Sequence, residues 1–258
     1  MTTRRQHHIA CEPGDVADYV LLPGDPARSV EISEYFDDRR HVATSREYTT
    51  YTGTFGGVPV TTMSTGMGGP SVAIGVEELQ RVGAKVLIRV GTAGSMQPDV
   101  NPGDFVVATG AIRDEGTGRA YVPAEFPAVA DPMTTHALYS GLLPTGRAHL
   151  GVIHTKDSFY GQKEPDRMPV AAMLRQRWQA WVAGGSLASE MESATLFVVA
   201  SVLRLRAATA CLVASSHDAG VRLTAAEREK GMETLIRSVL AAVVALDKPQ
   251  SAPSANEG

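Results

Sequence analysis

Arg89 stands inside an otherwise apolar run, Val86-Leu87-Ile88-Arg89-Val90, that leads into Gly91-Thr92-Ala93-Gly94. A guanidinium is costly to bury unless an anion or a carboxylate compensates it, so Arg89 is the residue least explained by folding alone. Two further arginines stand near similar turns. Arg28 closes Gly24-Asp25-Pro26-Ala27-Arg28, four residues beyond a glycine whose turn presents backbone N–H groups, and Arg46 lies in Ser45-Arg46-Glu47-Tyr48. Guanidinium forks, amide N–H groups and the Thr92 hydroxyl suit a small tetrahedral oxyanion such as phosphate. The competing readings are a surface arginine, an ordinary Gly-Asp-Pro turn and, for Arg89, a core carboxylate partner.

Two more groups carry chemistry. Glu190-Met191-Glu192-Ser193 reads as a helix start, where carboxylates either answer the helix dipole or accept hydrogen bonds from a vicinal diol such as that of ribose. Lys156-Asp157-Ser158-Phe159-Tyr160-Gly161-Gln162 places aromatics in a polar loop, where they either stack on a flat heterocycle or cap a core; the glutamine matches an amide edge. His41, His136, His149 and His154 show no partner by spacing and read as structural, and no zinc-type His or Cys pattern is present. Walker A, Gly-x-Gly-x-x-Gly and Gly-x-Ser-x-Gly patterns are also missing, so a dinucleotide, an NTP and serine hydrolysis are not supported.

The elements that must position these residues are short apolar runs ending in glycine turns. Tyr19–Leu22, Val58–Met63, Lys85–Val90, Phe105–Thr109, His149–Ile153 and Ala208–Ala214 are nearly continuous in apolar character, as expected of strands buried on both faces. Helical spacing marks Ser71–Val82, Glu190–Leu203 and Ala226–Leu246, the last with Thr224 as N-cap and Glu227 completing a capping box. The sum is a mixed α/β sheet with helices on its faces, closing toward a barrel. Ligands in such sheets sit beyond the carboxyl ends of the strands, which is where the glycine turns and arginines fall. Residues 1–247 read as one domain, and the Pro/Ser-rich 248–258 as a disordered tail.

Composition narrows the classes. Of 258 residues 43% are hydrophobic and 20% charged, enough for a packed core and too apolar for whole-chain disorder. Lys+Arg 24 against Asp+Glu 28 leaves a net charge of −4 and no global field to draw the chain onto nucleic acid or an anionic membrane. The longest apolar runs reach about half of the ~20 residues that a span requires. Two cysteines, Cys11 and Cys211, read as free thiols in a reducing compartment, the cytoplasm.

Taken together, Leu22-Pro23-Gly24-Asp25-Pro26-Ala27-Arg28, Ser64-Thr65-Gly66-Met67-Gly68-Gly69-Pro70-Ser71, Arg89-Val90-Gly91-Thr92-Ala93-Gly94 and Glu190-Met191-Glu192-Ser193 resemble the nucleoside phosphorylase-I family. The likeness is to its bacterial uridine phosphorylase branch and covers roughly 7–246 in order. Arg46-Glu47-Tyr48-Thr49-Thr50, Glu125–Asp131 and Lys156–Gln162 share it.

The resemblance implies a three-layer α/β/α sandwich around a distorted, barrel-like sheet, assembled as a hexamer that is a trimer of dimers. It implies phosphate as co-substrate, with no organic cofactor. Gly24, Arg28, Arg89 and Thr92 would bind phosphate, joined by Arg46 from a neighbouring subunit. Met191, Glu192 and Glu190 would face the ribose, with His8 of a neighbour at the 5′-hydroxyl and His7 as competitor for that role. Phe159 would stack on the base and Gln162 pair with its O2/N3 edge. Glu47 and Ser71 match positions that line a potassium site at the dimer interface in some relatives.

Two departures stand out. Relatives carry an arginine two residues after the matching glutamine, where this chain has Glu164, so Arg167 is the replacement expected to bind the base. Ser215-Ser216-His217-Asp218 also lacks the Asn-Arg found there in many relatives, and Asp218 falls near the acid of purine-specific members. The implied reaction is reversible phosphorolysis of uridine to uracil and ribose 1-phosphate in pyrimidine salvage. The alternatives are a purine nucleoside phosphorylase using Asp218 as acid, a nucleosidase, or a nucleoside-binding protein without turnover.

Overall fold

A computed structural model of the chain describes residues 5–216 and 220–248. The strands are β1 (Tyr19–Leu22), β2 (Arg40–Ser45), β3 (Tyr48–Phe55), β4 (Val58–Met63), β5 (Val86–Ser95), β6 (Phe105–Asp114), β7 (Ala128–Val129), β8 (Ala148–Lys156), β9 (Ala188–Glu190) and β10 (Arg206–Ser215). The helices are α1 (Pro26–Ser33), α2 (Gly69–Arg81), α3 (Pro132–Leu142), α4 (Phe159–Lys163), α5 (Ala171–Ala183), α6 (Ser193–Val202) and α7 (Ala225–Asp247).

β5, β10, β6, β8 and β9 pair around a closed ring of mixed direction, and β1, β4, β3 and β2 extend it from the edge of β5. One apolar cluster lies on the side covered by α2 and α6, the other on the side of α1, α3 and α7. That is the three-layer arrangement expected. The strands with continuous apolar character, such as β1 and β10, are buried along nearly their whole length.

One pairing change decides where the site sits. β1 accompanies β5 only as far as Leu22 beside Arg89, and β9 takes up the same stretch of sheet at Gly94. Between them, residues 90–93 of β5 lie where one neighbour has ended and the next has not begun. Open α/β sheets bind ligands at such switch points, beyond the carboxyl ends of their parallel strands.

Several sequence expectations change. β5, β6 and β8 run further than expected, through the glycine turn in the case of β5. The helix expected over Glu190–Leu203 divides: Glu190 ends β9, Met191 and Glu192 turn, and α6 starts at Ser193. β2 and β3, rich in Thr and Tyr, carried no apolar run to reveal them. The capping box at Thr224 and Glu227 is present. The tail expected over 248–258 lies outside the described residues except for Lys248, which caps α7.

Candidate active site

A cleft of about 560 Å³ opens at this switch point, floored by the β5 segment and walled by the ends of β1, β9 and β10 and by α4. Of the residues singled out in the sequence, it brings together Gly24, Arg28, Arg89, Thr92, Phe159, Gln162, Glu190, Met191 and Glu192.

Arg28 lies in the first turn of α1, which Asp25 caps by accepting from Ala27 N at 2.9 Å, with Pro26 opening the helix. Its Nε is buried and has no hydrogen-bond partner. Burial, opposed by Glu31 and Asp25, lowers its pKa from the usual arginine value. A buried donor left empty in a protein is an invitation to an acceptor from outside.

Arg89 is only 5% exposed and has the carboxylate partners that one reading of the sequence gave it. Its Nε donates to Glu190 Oε2 at 2.8 Å and its Nη2 lies 2.5 Å from Glu192 Oε2. Burial opposes its charge, and the two carboxylates outweigh that and hold it fully protonated. Gly91 makes the arrangement fit: a Cβ there would stand 2.8 Å from the guanidinium carbon, so only glycine lets the side chain fold back over its own strand.

The two carboxylates differ. Glu190 also accepts from Thr155 Oγ1 at 2.5 Å, from Glu192 N at 2.8 Å and from Ser193 N at 3.0 Å, so its oxygens are filled by protein donors and it holds α6 and Arg89 in place. Burial raises its pKa, but Arg89 and these donors hold it below the ordinary value. Glu190, expected to face the ribose, thus lines the cleft with its oxygens already engaged by protein donors. Glu192 accepts from Gly68 N at 2.7 Å and meets Arg89; burial pushes its pKa up against the pull of Arg89. Gly68 reaches it from a backbone with φ 90°, open to glycine and not to other residues.

Lys156, at the end of β8, donates to Ser189 Oγ at 2.9 Å and to Glu190 O at 3.4 Å. Burial lowers its pKa to about 8 despite Glu190 and Glu192. Arg89 and Lys156 thus balance Glu190 and Glu192, and Arg28 remains as surplus positive charge. Lys163, Arg222 and Arg228 add more along the cleft wall. Lys156, Lys163, Arg222 and Arg228 were not assigned a role from sequence; Arg222 and Arg228 stand far along the chain, beyond β10, which pairs with β5.

Other expected residues lie elsewhere. Arg46 is exposed in the tight β2–β3 turn with a left-handed φ of 54°. His8 is held through Nδ1 by Glu78 Oε1 of α2 at 2.6 Å, away from this chain's cleft. Arg167 does not reach the cleft: it is exposed and ion-paired to Glu164, which occupies the position of the arginine it was expected to stand in for. Glu47 and the Ser71 hydroxyl stand on the same side of Gly66, 2.9 and 3.4 Å from where a Cβ there would lie. Asp218 lies outside the described residues. His149 and His154, read as lacking partners, have them: Asp104 for the first, Ser189 and Asp114 for the second. Cys11 and Cys211 are free and buried. Among the described residues no helix is long and apolar enough to cross a membrane.

The sequence profile of the Phosphorylase superfamily matches residues 18–246. The chain is 54% identical over 213 residues to a uridine phosphorylase of Treponema pallidum (strain Nichols), a match spanning 82% of this chain and 83% of that protein. It is 44% identical over 234 residues to a uridine phosphorylase of Thermococcus kodakarensis, spanning 88% and 83% respectively. A guanosine phosphorylase of Halorubrum lacusprofundi is 38% identical over 250 residues, spanning 94% of this chain and 99% of its own length.

Proposed function

This chain belongs to the Phosphorylase superfamily, and from that premise we propose that it is a uridine phosphorylase, cleaving uridine reversibly with phosphate to uracil and ribose 1-phosphate. Phosphorylases use phosphate as co-substrate and need no organic cofactor. The observation that carries the reading is the buried, partnerless Nε of Arg28 in a cleft whose other interior charges cancel.

In this mechanism Arg28, Arg89, Thr92 and the backbone at Gly24 hold phosphate below the ribose. Glu192 accepts from the ribose hydroxyls, Met191 packs against the sugar, and Phe159, 44% exposed, stacks on the base. The C1′–N1 bond lengthens toward an oxocarbenium-like state, phosphate attacks C1′ from the face opposite the base, and uracil leaves with the bonding electrons. Fixed positioning and the anion's field on the sugar supply the rate. Gln162 and the cations near it meet the negative charge growing on uracil, with Lys163 and Arg222 taking the part expected of Arg167.

Arg46 and His8 complete the site from a second copy of the chain, in a homo-hexamer built as a trimer of dimers. Oxygen donors at Glu47 and Ser71 suit a hard cation such as potassium at the same contact. The enzyme would serve pyrimidine salvage in the cytoplasm. Nucleic acid and membranes are not among its partners.

The near full-length likeness to a guanosine phosphorylase supports a second reading, a purine substrate with Asp218 as acid. Uridine, thymidine and guanosine, each offered with phosphate at equal concentration, separate the two. Faster release of uracil supports the first, and faster release of guanine overturns it.

A further inference from the structure

Glu78 lies buried on α2, outside the cleft. Its Oε2 accepts from His8 N and from Ile9 N, each at 2.9 Å, and its Oε1 lies 2.6 Å from His8 Nδ1. Burial raises its pKa, but these donors hold it below the ordinary carboxylate value, so the group is ionised and can only accept. The proton between Glu78 and His8 is therefore on Nδ1. An uncharged imidazole has one N–H, so Nε2 keeps a lone pair, and it has no hydrogen-bond partner among the described residues.

The segment that carries His8 has other anchors. Ile9 and Cys11 are fully buried, Gln6 N donates to Cys11 O at 2.9 Å, and Arg5 Nε donates to Ala10 O at 2.9 Å. The backbone can therefore keep its course without Glu78, and what depends on the carboxylate is the ring. The His8 side chain stays a third exposed.

We propose that Glu78 is a positioning residue that keeps His8 Nε2 a hydrogen-bond acceptor, so that the neighbouring subunit's cleft selects nucleosides whose 5′ group donates. The inference rests on the assignment of His8 to the 5′-hydroxyl of a nucleoside bound by a second copy. A hydroxyl can donate to Nε2, whereas a 5′-methyl leaves that nitrogen unpaired, a loss that sites built for a polar group punish strongly. An ammonium, which can only donate, suits an acceptor and is refused by an N–H. Glu78→Gln reverses the pattern. The backbone N–H groups of His8 and Ile9 can only donate, and they claim the amide oxygen at the place of Oε2. The NH₂ then faces Nδ1, which must accept, and the ring proton moves to Nε2.

The test is kcat/KM for three nucleosides: uridine, 5′-deoxyuridine, and 5′-amino-5′-deoxyuridine, which carries an ammonium at neutral pH. The wild type is expected to take the amino compound at least about tenfold better than the deoxy one. In Glu78→Gln the ratio of amino compound to uridine should fall at least about tenfold, because a hydroxyl can accept as well as donate and an ammonium cannot. Glu78→Ala, which frees the ring, should bring uridine toward 5′-deoxyuridine. A merely structural Glu78 would slow all three nucleosides alike, and ratios unchanged in its variants overturn the proposal. If Glu78→Gln does not fold, the wild type decides, since an amino compound no better than the deoxy one overturns it too. His8→Ala separates the failures. A preference for uridine over 5′-deoxyuridine that survives His8→Ala, or a wild type that fails to cleave uridine, removes the parent reading and this inference together. A preference lost in His8→Ala and kept in the Glu78 variants removes this inference alone.

Discussion

Arg28 and Arg89 bring the same charge to one cleft and differ in what else holds them. Arg89 is tied to Glu190 and Glu192, whereas the buried Nε of Arg28 has no partner. Arg28→Ala is therefore expected to lower kcat/KM for phosphate by about 10²–10³ with the thermal midpoint nearly unchanged. Arg89→Ala also strands two buried carboxylates, and denaturant melts should show a loss of about 3–5 kcal/mol. Initial rates against phosphate, beside those melts, check both. Lys156 gives the pH dependence. Burial holds its pKa at about 8, so its charge is present below that pH and lost above it, and kcat/KM for uridine should decline on the alkaline side. Lys156→Met should lack that decline. The stability sign is opposite: between about 8 and 10.5 the unfolded chain keeps a proton that the folded one has released, so this group makes folding more favourable as pH rises through that window. Arg89 was legible because a charge in an apolar strand needs explaining. Lys156 and Ser189 were not, since neither residue type is unusual in sequence and their meeting depends on β8 lying beside β9.

Elements buried on both faces announce themselves, and the others do not. β1, β4, β5 and β10 are apolar runs because each is covered on two sides, and their glycine turns pointed to the cleft. β2 and β3 form a half-exposed hairpin whose threonines give no period, so the strand carrying the turn to Arg46 went unseen. α1 and α3 each open on Asp-Pro, Asp25-Pro26 and Asp131-Pro132, a cap followed by a first-turn proline that a helix-start reading would have caught. The division of the expected Glu190–Leu203 helix follows from Glu190, whose carboxylate captures the N–H groups of Glu192 and Ser193 and so starts α6 later. At the far end of the chain the capping box of α7 acts locally. Thr224→Ala should cost about 1 kcal/mol, read as a lower thermal midpoint with kcat unaltered.

The whole molecule presents a cleft to which two expected ligand contacts, Arg46 and His8, do not belong in the single chain. If Arg46 serves a neighbour's cleft, a mixture of Arg46→Ala and Arg28→Ala chains should regain activity that neither has alone. Random re-pairing of equal amounts yields one intact site in each mixed dimer, about a quarter of the wild-type rate. No recovery after verified subunit exchange would place Arg46 outside the reaction. At the centre of the cleft a spare positive charge, that of Arg28, awaits an inorganic anion. The most direct measurement is the rate of uracil release from uridine as phosphate is titrated from zero, with the sugar product identified. We expect saturable dependence, no release without phosphate, and ribose 1-phosphate formed in equal amount with uracil. Uracil released at the same rate without phosphate, accompanied by free ribose, would contradict it.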